Sequence, residues 1–288
     1  MVRSIVTPCV LLLFLTACGG GKGTITVGSK NFTESVLLGE IIAQRLEKAG
    51  CTVERKLDLG GTLICDRAML AGSLDVYPEY SGTALTAILH QPIAGDSARV
   101  ASIVESEYRK RGLVWGPALG FENTFAIVVR RDDAARHRLK SISDLGRVSG
   151  SLRPGFGYEF VERPDGWTGL QRHYAMAFTT PPQTMDLGLT YRALAAGSVD
   201  VIAGNSTDGL IDALGLVVLA DDRHYFPPYD TAVVSRSDIG MKCAAAPAAI
   251  ASLRDVLGEA EMRRLNYEID GKKRGAHEVA ADVVSRLR

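Results

Sequence analysis

The stretch DVYPEYSGTA, residues 75–84, brings two tyrosines, two carboxylates and two hydroxyls close together. Aromatic faces can hold a cation, while carboxylates and hydroxyls exchange hydrogen bonds. The apolar residues before the stretch favour a strand that ends near Val76, because Pro78 has no N–H to donate to a sheet ladder. Side chains of this kind at a strand end are suited to holding a small molecule, provided that other elements bring partners to them.

An internal repeat identifies those elements. The sequence RAMLAGSLDV (67–76) recurs as RALAAGSVDV (192–201), with seven of ten positions identical. Each copy has the pattern of a helix end, a turn glycine and a strand entered through Asp-Val. The repeat predicts two similar α/β lobes, and its offset places Tyr80 and Asn205 just past the carboxyl ends of corresponding strands.

The order of strand and helix patterns predicts a parallel sheet with helices on its faces. Strand patterns at 24–28 and 51–59 alternate with helical ones, and Asn31 with Glu34 is the pattern of a capping pair that begins a helix closed by Gly50. The similar segments 123–132 and 229–238 have the pattern of crossover strands. Lobe 1 is therefore expected to comprise residues 24–125 and 231–288, and lobe 2 residues 126–230, with a helical C-terminus from Pro247 packing back on lobe 1.

The N-terminus has the pattern of an export signal. A basic residue, a short apolar run and small residues precede Cys18, and the run is too short to span a bilayer. Leu15–Cys18 is similar to a bacterial lipobox, which predicts a signal peptide over 1–17, lipidation of Cys18 and a flexible tether over 18–23. A plain cleaved signal with an incidental cysteine is the alternative. The expected location is extracytoplasmic, anchored to a membrane through Cys18.

Export makes an oxidising compartment possible for the cysteines that follow the signal, Cys51, Cys65 and Cys243. A bridge between Cys51 and Cys65 is conceivable, and simple burial of free thiols is an equal alternative. An odd number leaves at least one thiol free.

Composition and motifs argue against nucleic-acid binding and against catalysis. The 288 residues carry 33 basic and 33 acidic side chains and no long block of one sign. The five histidines lack metal-ligand spacing, and nucleotide-loop and hydrolase motifs are missing, with Gly155–Gly157 interpreted as a flexible loop. We expect a monomer that is not an enzyme and needs neither a cofactor nor a metal.

A set of motifs in a fixed order resembles a known family. The chain is similar to the substrate-binding proteins of ABC importers for glycine betaine, choline and carnitine through VGSKNFTES (27–35), LGGT (59–62), AGSLDVYPEYSGTALTAIL (71–89), GFENTFAIVVR (120–130), FVERPDG (160–166), MDLGLTYRAL (185–194), STDG (206–209) and FPPYD (226–230). The resemblance covers essentially the whole mature chain. It implies an α/β, two-lobed type II periplasmic-binding-protein fold, each lobe a mixed sheet flanked by helices, with the ligand in the cleft.

The resemblance also implies which side chains bind the solute. The positions that match the family's aromatic cage for a trimethylammonium group are Tyr80, Phe125, Asn205 and Tyr229. The positions that match its carboxylate-binding residues are Lys30, Thr83 and Arg163. Phe125 stands where a tyrosine is usual, and Asn205 replaces an aromatic outright, which points to weak binding of simple betaines or to a larger, more polar ligand.

The neighbours of these positions receive other roles. Tyr77 is expected to pack within its lobe. Trp167 is expected to be a packing residue, with a place at the rim of the cleft as the alternative. Glu79 is either structural or a surface contact for the permease. The partners implied are a trimethylammonium solute and the permease and ATPase of an importer. A sensory or interaction protein with a non-osmolyte or lost ligand is the alternative that Phe125 and Asn205 leave open.

Overall fold

A computed structural model describes residues 23–287. In that range the strands are β1 (Thr24–Gly28), β2 (Thr52–Lys56), β3 (Val76–Tyr80), β4 (Leu113–Glu122), β5 (Phe125–Val129), β6 (Pro154–Gly157), β7 (Gln183–Met185), β8 (Val201–Asn205), β9 (Val217–Leu219) and β10 (Asp230–Arg236). The predicted signal peptide, Cys18 and all but the last residue of the tether lie outside the described residues.

The helices lie between and after these strands. They are α1 (Thr33–Lys48), α2 (Thr62–Leu70), α3 (Ser81–Thr83), α4 (Ser97–Lys110), α5 (Arg131–His137), α6 (Ile142–Val148), α7 (Tyr158–Glu162), α8 (Trp167–His173), α9 (Leu187–Ala195), α10 (Leu210–Ala213), α11 (Ile239–Lys242), α12 (Ala246–Ala251), α13 (Glu259–Asp270) and α14 (Ala276–Arg286). A π-helical turn (Ala84–Ile88) follows α3, and a 3-10 turn (Ser149–Ser151) follows α6.

The strands form two mixed sheets with matching topology. The first has the order β2-β1-β3-β10-β4 and the second the order β7-β6-β8-β5-β9. In each, three parallel strands are followed by an antiparallel one, which is β10 in the first sheet and β5 in the second. We refer to the elements around the first sheet as the first lobe and those around the second as the second lobe. The two similar α/β lobes predicted from the repeat are therefore present.

The two copies of the repeat occupy equivalent places. One copy spans the end of α2 and the start of β3, and the other spans the end of α9 and the start of β8. The entry aspartates also act alike, since Asp75 accepts the backbone N–H of Thr26 at 2.8 Å and Asp200 accepts that of Arg153 at 3.0 Å. Each aspartate thus ties its central strand to the neighbouring parallel strand.

Strand β3 continues past the point where the sequence predicted its end. It runs through Pro78 to Tyr80 and pairs with β10 along its whole length, while β1 reaches it only at Val76. Beyond Val76, the edge of β3 that faces β1 makes no further ladder, so the missing N–H of Pro78 is tolerated. The prediction of a strand end near Val76 was wrong for this reason.

Two other local predictions were also wrong. Helix α1 begins after Phe32 without a side-chain cap, because Glu34 points into the protein and leaves the expected Asn31–Glu34 capping pair unformed. The segment Gly155–Gly157 is part of β6, where a Cβ on Gly155 would meet Val199 at 2.6 Å, so the glycine serves close packing and is not a loop signal. Gly50, with φ of 85°, follows α1 as predicted.

The first lobe has a core on each face of its sheet. On one face Leu38 and Ile41 of α1 pack in one buried cluster with Val279 and Val283 of α14, so the C-terminal helices do return to this lobe as predicted. On the other face Tyr77 belongs to a second cluster with residues of α2 and α4. Burial of this kind is worth roughly 25 cal/mol per Å² of apolar surface.

The cysteines pair across the lobe. Cys51, before β2, is bonded to Cys243, after α11, over a sequence separation of 192 residues. Cys65 is a buried free thiol whose pKa burial raises to about 12. The conceivable Cys51–Cys65 bridge is therefore not the one formed, because Cys65 lies on α2 at the opposite face of the sheet.

Candidate functional site

A cavity of about 740 Å³ separates the two lobes and is lined by side chains from both. The carboxyl end of β3 reaches it from the first lobe and the carboxyl end of β8 from the second, which is where open α/β sheets place ligands. The seven residues that the sequence proposed for ligand binding all line this cavity: Lys30, Tyr80, Thr83, Phe125, Arg163, Asn205 and Tyr229. Their convergence shows that one cavity could use them together.

Lys30 follows β1 and is held in an ion pair at the wall of the cavity. Its Nζ lies 2.5 Å from Glu79 Oε1, and both side chains are buried. Glu79 also accepts the Tyr77 hydroxyl at 3.1 Å and the backbone N–H of Tyr80. Burial raises the pKa of Glu79, and the Lys30 ammonium opposes that rise. Of the two roles predicted for Glu79, the structural one therefore fits the structure, because a buried side chain cannot be a surface contact for the permease.

Arg163 forms the corresponding ion pair in the second lobe. Its guanidinium binds both oxygens of Asp165, at 2.9 and 2.6 Å, and donates to Thr83 of the first lobe at 2.9 Å. Asp165 also accepts the Tyr229 hydroxyl at 2.6 Å. Burial acts to raise the pKa of Asp165, but the Arg163 charge and the hydrogen bonds from Arg163 and Tyr229 together outweigh it, so this pKa lies below its usual range. The arrangement fixes a bidentate donor beside the aromatic rings.

Both basic groups are thus matched by carboxylates of the chain itself. The pairs Lys30–Glu79 and Arg163–Asp165 sum to zero charge. A cationic ligand therefore meets no net repulsion from these four groups. The ammonium has three N–H donors and the guanidinium five, which is more than one carboxylate takes up, so donors remain for a ligand carboxylate. This pairing suits a zwitterion better than a simple anion.

The aromatic wall combines rings from both lobes. Phe125 begins β5 and meets Tyr229 edge-on at 5.8 Å and Phe160 at 4.8 Å between ring centroids. The Arg163 guanidinium lies 4.9 Å from the centroid of Phe125, and the Lys30 ammonium lies 5.1 Å from that of Tyr80. The rings can therefore hold cations by their faces. Two of the rings already contact cations of the chain itself, Lys30 and Arg163.

Asn205 lies directly beside this wall. It ends β8 and is the register partner of Phe125 in the antiparallel β5–β8 pair. Its backbone N–H donates to Asp208 Oδ2 at 2.9 Å, and its side chain lines the cavity. A polar amide thus occupies the place that the repeat relates to Tyr80.

Glu34, which the sequence analysis assigned to a helix cap, instead holds the cavity residue Tyr80 in place. Its buried carboxylate accepts from four side chains: Tyr80 at 2.8 Å, Asn123 at 2.8 Å, Thr207 at 2.5 Å and Asn266 at 3.0 Å. Burial raises the pKa of Glu34, and the four donors oppose the rise. Helical spacing contained the signal, because Glu34 lies three, four and seven residues before the buried Leu37, Leu38 and Ile41 and so falls on the apolar face of α1.

Two aromatic residues outside the wall are packing residues. Tyr77 is fully buried in the first lobe, and Trp167 packs against Phe156 and Phe178 in the second, as the sequence predicted for both. Within residues 23–287 no group of three or more His, Cys, Asp or Glu side chains is arranged to hold a metal ion. In the same range no helix combines the length and the apolar character that a membrane span needs.

Two α/β lobes that enclose a cavity of aromatic and paired ionic side chains define a solute-binding protein of the periplasmic type. The chain belongs to the family of substrate binding domains of ABC-type glycine betaine transport systems, whose match spans residues 23–286. It is a transport component and not an enzyme, and its partners are a small-molecule solute and an importer. The fold and function inferred from the motif set are confirmed.

Individual relatives agree with this assignment. A carnitine transport binding protein of Listeria monocytogenes is 32% identical over 95% of this chain and 92% of its own length. An ergothioneine transport permease and binding protein of Helicobacter pylori is 31% identical over 91% of this chain, which matches 47% of that longer protein. A crystal structure described as a glycine betaine/carnitine/choline ABC transporter is 29% identical, with a TM-score of 0.74 over 91% of this chain and 98% of that one.

Proposed function

We propose that this chain is an extracytoplasmic lipoprotein that captures a quaternary ammonium compound between its lobes and delivers it to the permease of an ABC importer. The lobes are residues 24–125 with 231–288, and residues 126–230, except that Phe125 begins β5 of the second sheet and Asp230 begins β10 of the first. Cys18 carries the lipid, and residues 18–23 form the tether. Of the residues that line the cavity, the seven proposed from the sequence bind the solute: Lys30, Tyr80, Thr83, Phe125, Arg163, Asn205 and Tyr229.

The observation that carries the proposal is the convergence of Tyr80, Phe125 and Tyr229 from both lobes on one cavity. A trimethylammonium group has no N–H to donate, so aromatic faces are the natural way to hold it. Each face contributes about 0.5–1 kcal/mol when exposed and about 2 kcal/mol when dry. Tyr80 and Tyr229 are almost fully buried, which places them at the dry end of that range.

The polar end of the solute is assigned to the basic and hydroxyl side chains beside these rings. Lys30 follows β1, Thr83 follows β3, and Arg163 reaches Thr83 from the second lobe. A ligand carboxylate placed among them would receive charge-assisted hydrogen bonds. Because Glu79 and Asp165 already neutralise both cations, these bonds serve orientation and selectivity more than bulk attraction.

A larger, more polar betaine is the second candidate for the solute. The cavity, at about 740 Å³, is of the size that takes drug-sized ligands, and glycine betaine would fill only a small part of it. The amide of Asn205 can both donate to and accept from a polar ring, which the face of an aromatic ring cannot do. The Helicobacter pylori relative, named for ergothioneine, makes that compound the first larger betaine to examine.

A ligand panel tests the proposal directly. Glycine betaine, choline, carnitine and ergothioneine are titrated by calorimetry and by thermal shift, each beside its analogue that lacks the N-methyl groups. We expect at least one trimethylammonium compound to bind and its unmethylated analogue to bind at least tenfold more weakly. Stabilisation only by an unrelated amino acid or sugar would overturn the proposal.

A further inference from the structure

Helix α2 begins at the cavity without a cap of its own. Its N-cap position is Gly61, which has no side chain to accept the first backbone N–H groups, and its first turn carries no acidic residue. The first N–H groups of any helix lack partners within the helix and bear partial positive charge. Helix α2 therefore depends on another part of the chain for an acceptor.

That acceptor comes from the other lobe. Glu159 of α7 accepts the backbone N–H of Thr62 through Oε1 and lies 3.3 Å from the Thr62 hydroxyl through Oε2. Gly61 makes this approach possible, because a Cβ at that position would lie 2.4 Å from Glu159 Oε1. Both features fit a carboxylate docked against the start of α2.

The contact lies at the mouth of the cavity. Gly61, Thr62, Tyr158 and Glu159 all line it, and Tyr158 is among the most exposed of the large apolar side chains. The partners are protein groups on opposite lobes, so the contact contributes to closure whichever solute is present. Hinge opening separates groups at the mouth of a cleft more than groups near the hinge.

We propose that Glu159 is an interlobe latch. By capping α2 from the second lobe it stabilises the closed arrangement, so that part of the population is closed before any solute binds. The latch sets the open–closed equilibrium and thereby the apparent affinity for every solute, because affinity scales with the fraction of the binding-competent state. This inference concerns the two lobes and does not depend on the identity of the solute.

The test measures the distance between the lobes without ligand. Spin labels are attached through a non-cysteine unnatural amino acid at the exposed positions Leu70 of α2 and Leu189 of α9, and pulsed electron resonance gives the distance distribution. The variants are Glu159→Ala, which removes the carboxylate on the second lobe, and Gly61→Ala, which adds a Cβ on the first lobe where that carboxylate approaches. Asp132→Ala, at an exposed site on α5, is the control for removing a carboxylate from the second lobe.

We expect a closed population in the unaltered chain and in Asp132→Ala. In Glu159→Ala and Gly61→Ala the closed-to-open ratio should fall by about 3- to 30-fold, the range expected for loss of a helix cap. Equal distributions in Glu159→Ala, Gly61→Ala and Asp132→Ala would overturn the latch, and so would an unaltered chain that is open throughout. Because no ligand is used, failure of the solute panel leaves this result intact and counts against the proposed function alone.

Discussion

Replacing Asn205 by tyrosine should restore an aromatic wall and raise the affinity for glycine betaine. Asn205 is the cross-strand partner of Phe125 and lines the cavity, so a ring at this position would stand beside an existing ring. Side chains directly opposite on antiparallel strands have Cβ atoms about 4.5–5.5 Å apart, which allows two rings to face one ligand.

The magnitude follows from the exposure of the site. Asn205 is neither fully buried nor fully exposed, so an added ring contributes between the wet and dry limits, about 1–2 kcal/mol. That corresponds to a Kd about 5- to 30-fold lower. Isothermal titration of glycine betaine into both proteins gives the ratio.

Asn205→Leu is the matched control, because leucine adds apolar surface without a π face. We expect its Kd for glycine betaine to stay within about twofold of the unaltered chain, since most of the gain should come from the cation–π interaction. A tyrosine variant that binds no more tightly than the leucine variant would refute the assignment of position 205 to the cage.

Three further predictions concern stability and are measured by urea unfolding. Reducing the Cys51–Cys243 bond should lower the free energy of unfolding by up to about 5 kcal/mol, because it closes a loop of 192 residues; an unchanged midpoint would contradict this. Lys30→Met should cost about 3–5 kcal/mol by leaving Glu79 unpaired, and adding Glu79→Gln should recover most of it. Burial raises the pKa of Asp208 to about 7, so the folded state holds its proton more tightly than the unfolded chain and stability falls as pH rises from about 4 to about 7. Because Glu34 and Glu79 also have raised pKa values, Asp208→Asn should lessen that slope by up to about 4 kcal/mol and not abolish it, and an unaltered slope would exclude Asp208 as one of its sources.

Local patterns predicted the lobes and the position of the cavity. The repeat placed Tyr80 and Asn205 at equivalent strand ends because a helix, a turn glycine and an Asp-Val strand start are encoded within ten consecutive residues. The cavity residues could be named because family motifs mark each of them. Their role in binding a solute stays a prediction.

Long-range partners were beyond the sequence. The partner of Cys51 lies 192 residues away, and Glu79, which neutralises Lys30, lies 49 residues from it with no spacing that indicates a salt bridge. Glu34 followed a capping pattern, yet burial on the apolar face of α1 prevailed because four donors from distant segments meet there. Such partners are set by tertiary packing, which local periodicity does not encode.

The position of β10 sets an order of assembly during synthesis. This strand fills the space between β3 and β4, yet it is made only after the whole second lobe has left the ribosome. A chain cut short before Asp230 would therefore hold a contiguous second lobe beside a first sheet that lacks one of its inner strands. Until β10 is made, the edges of β3 and β4 that will pair with it stay open, and open strand edges favour aggregation and chaperone binding.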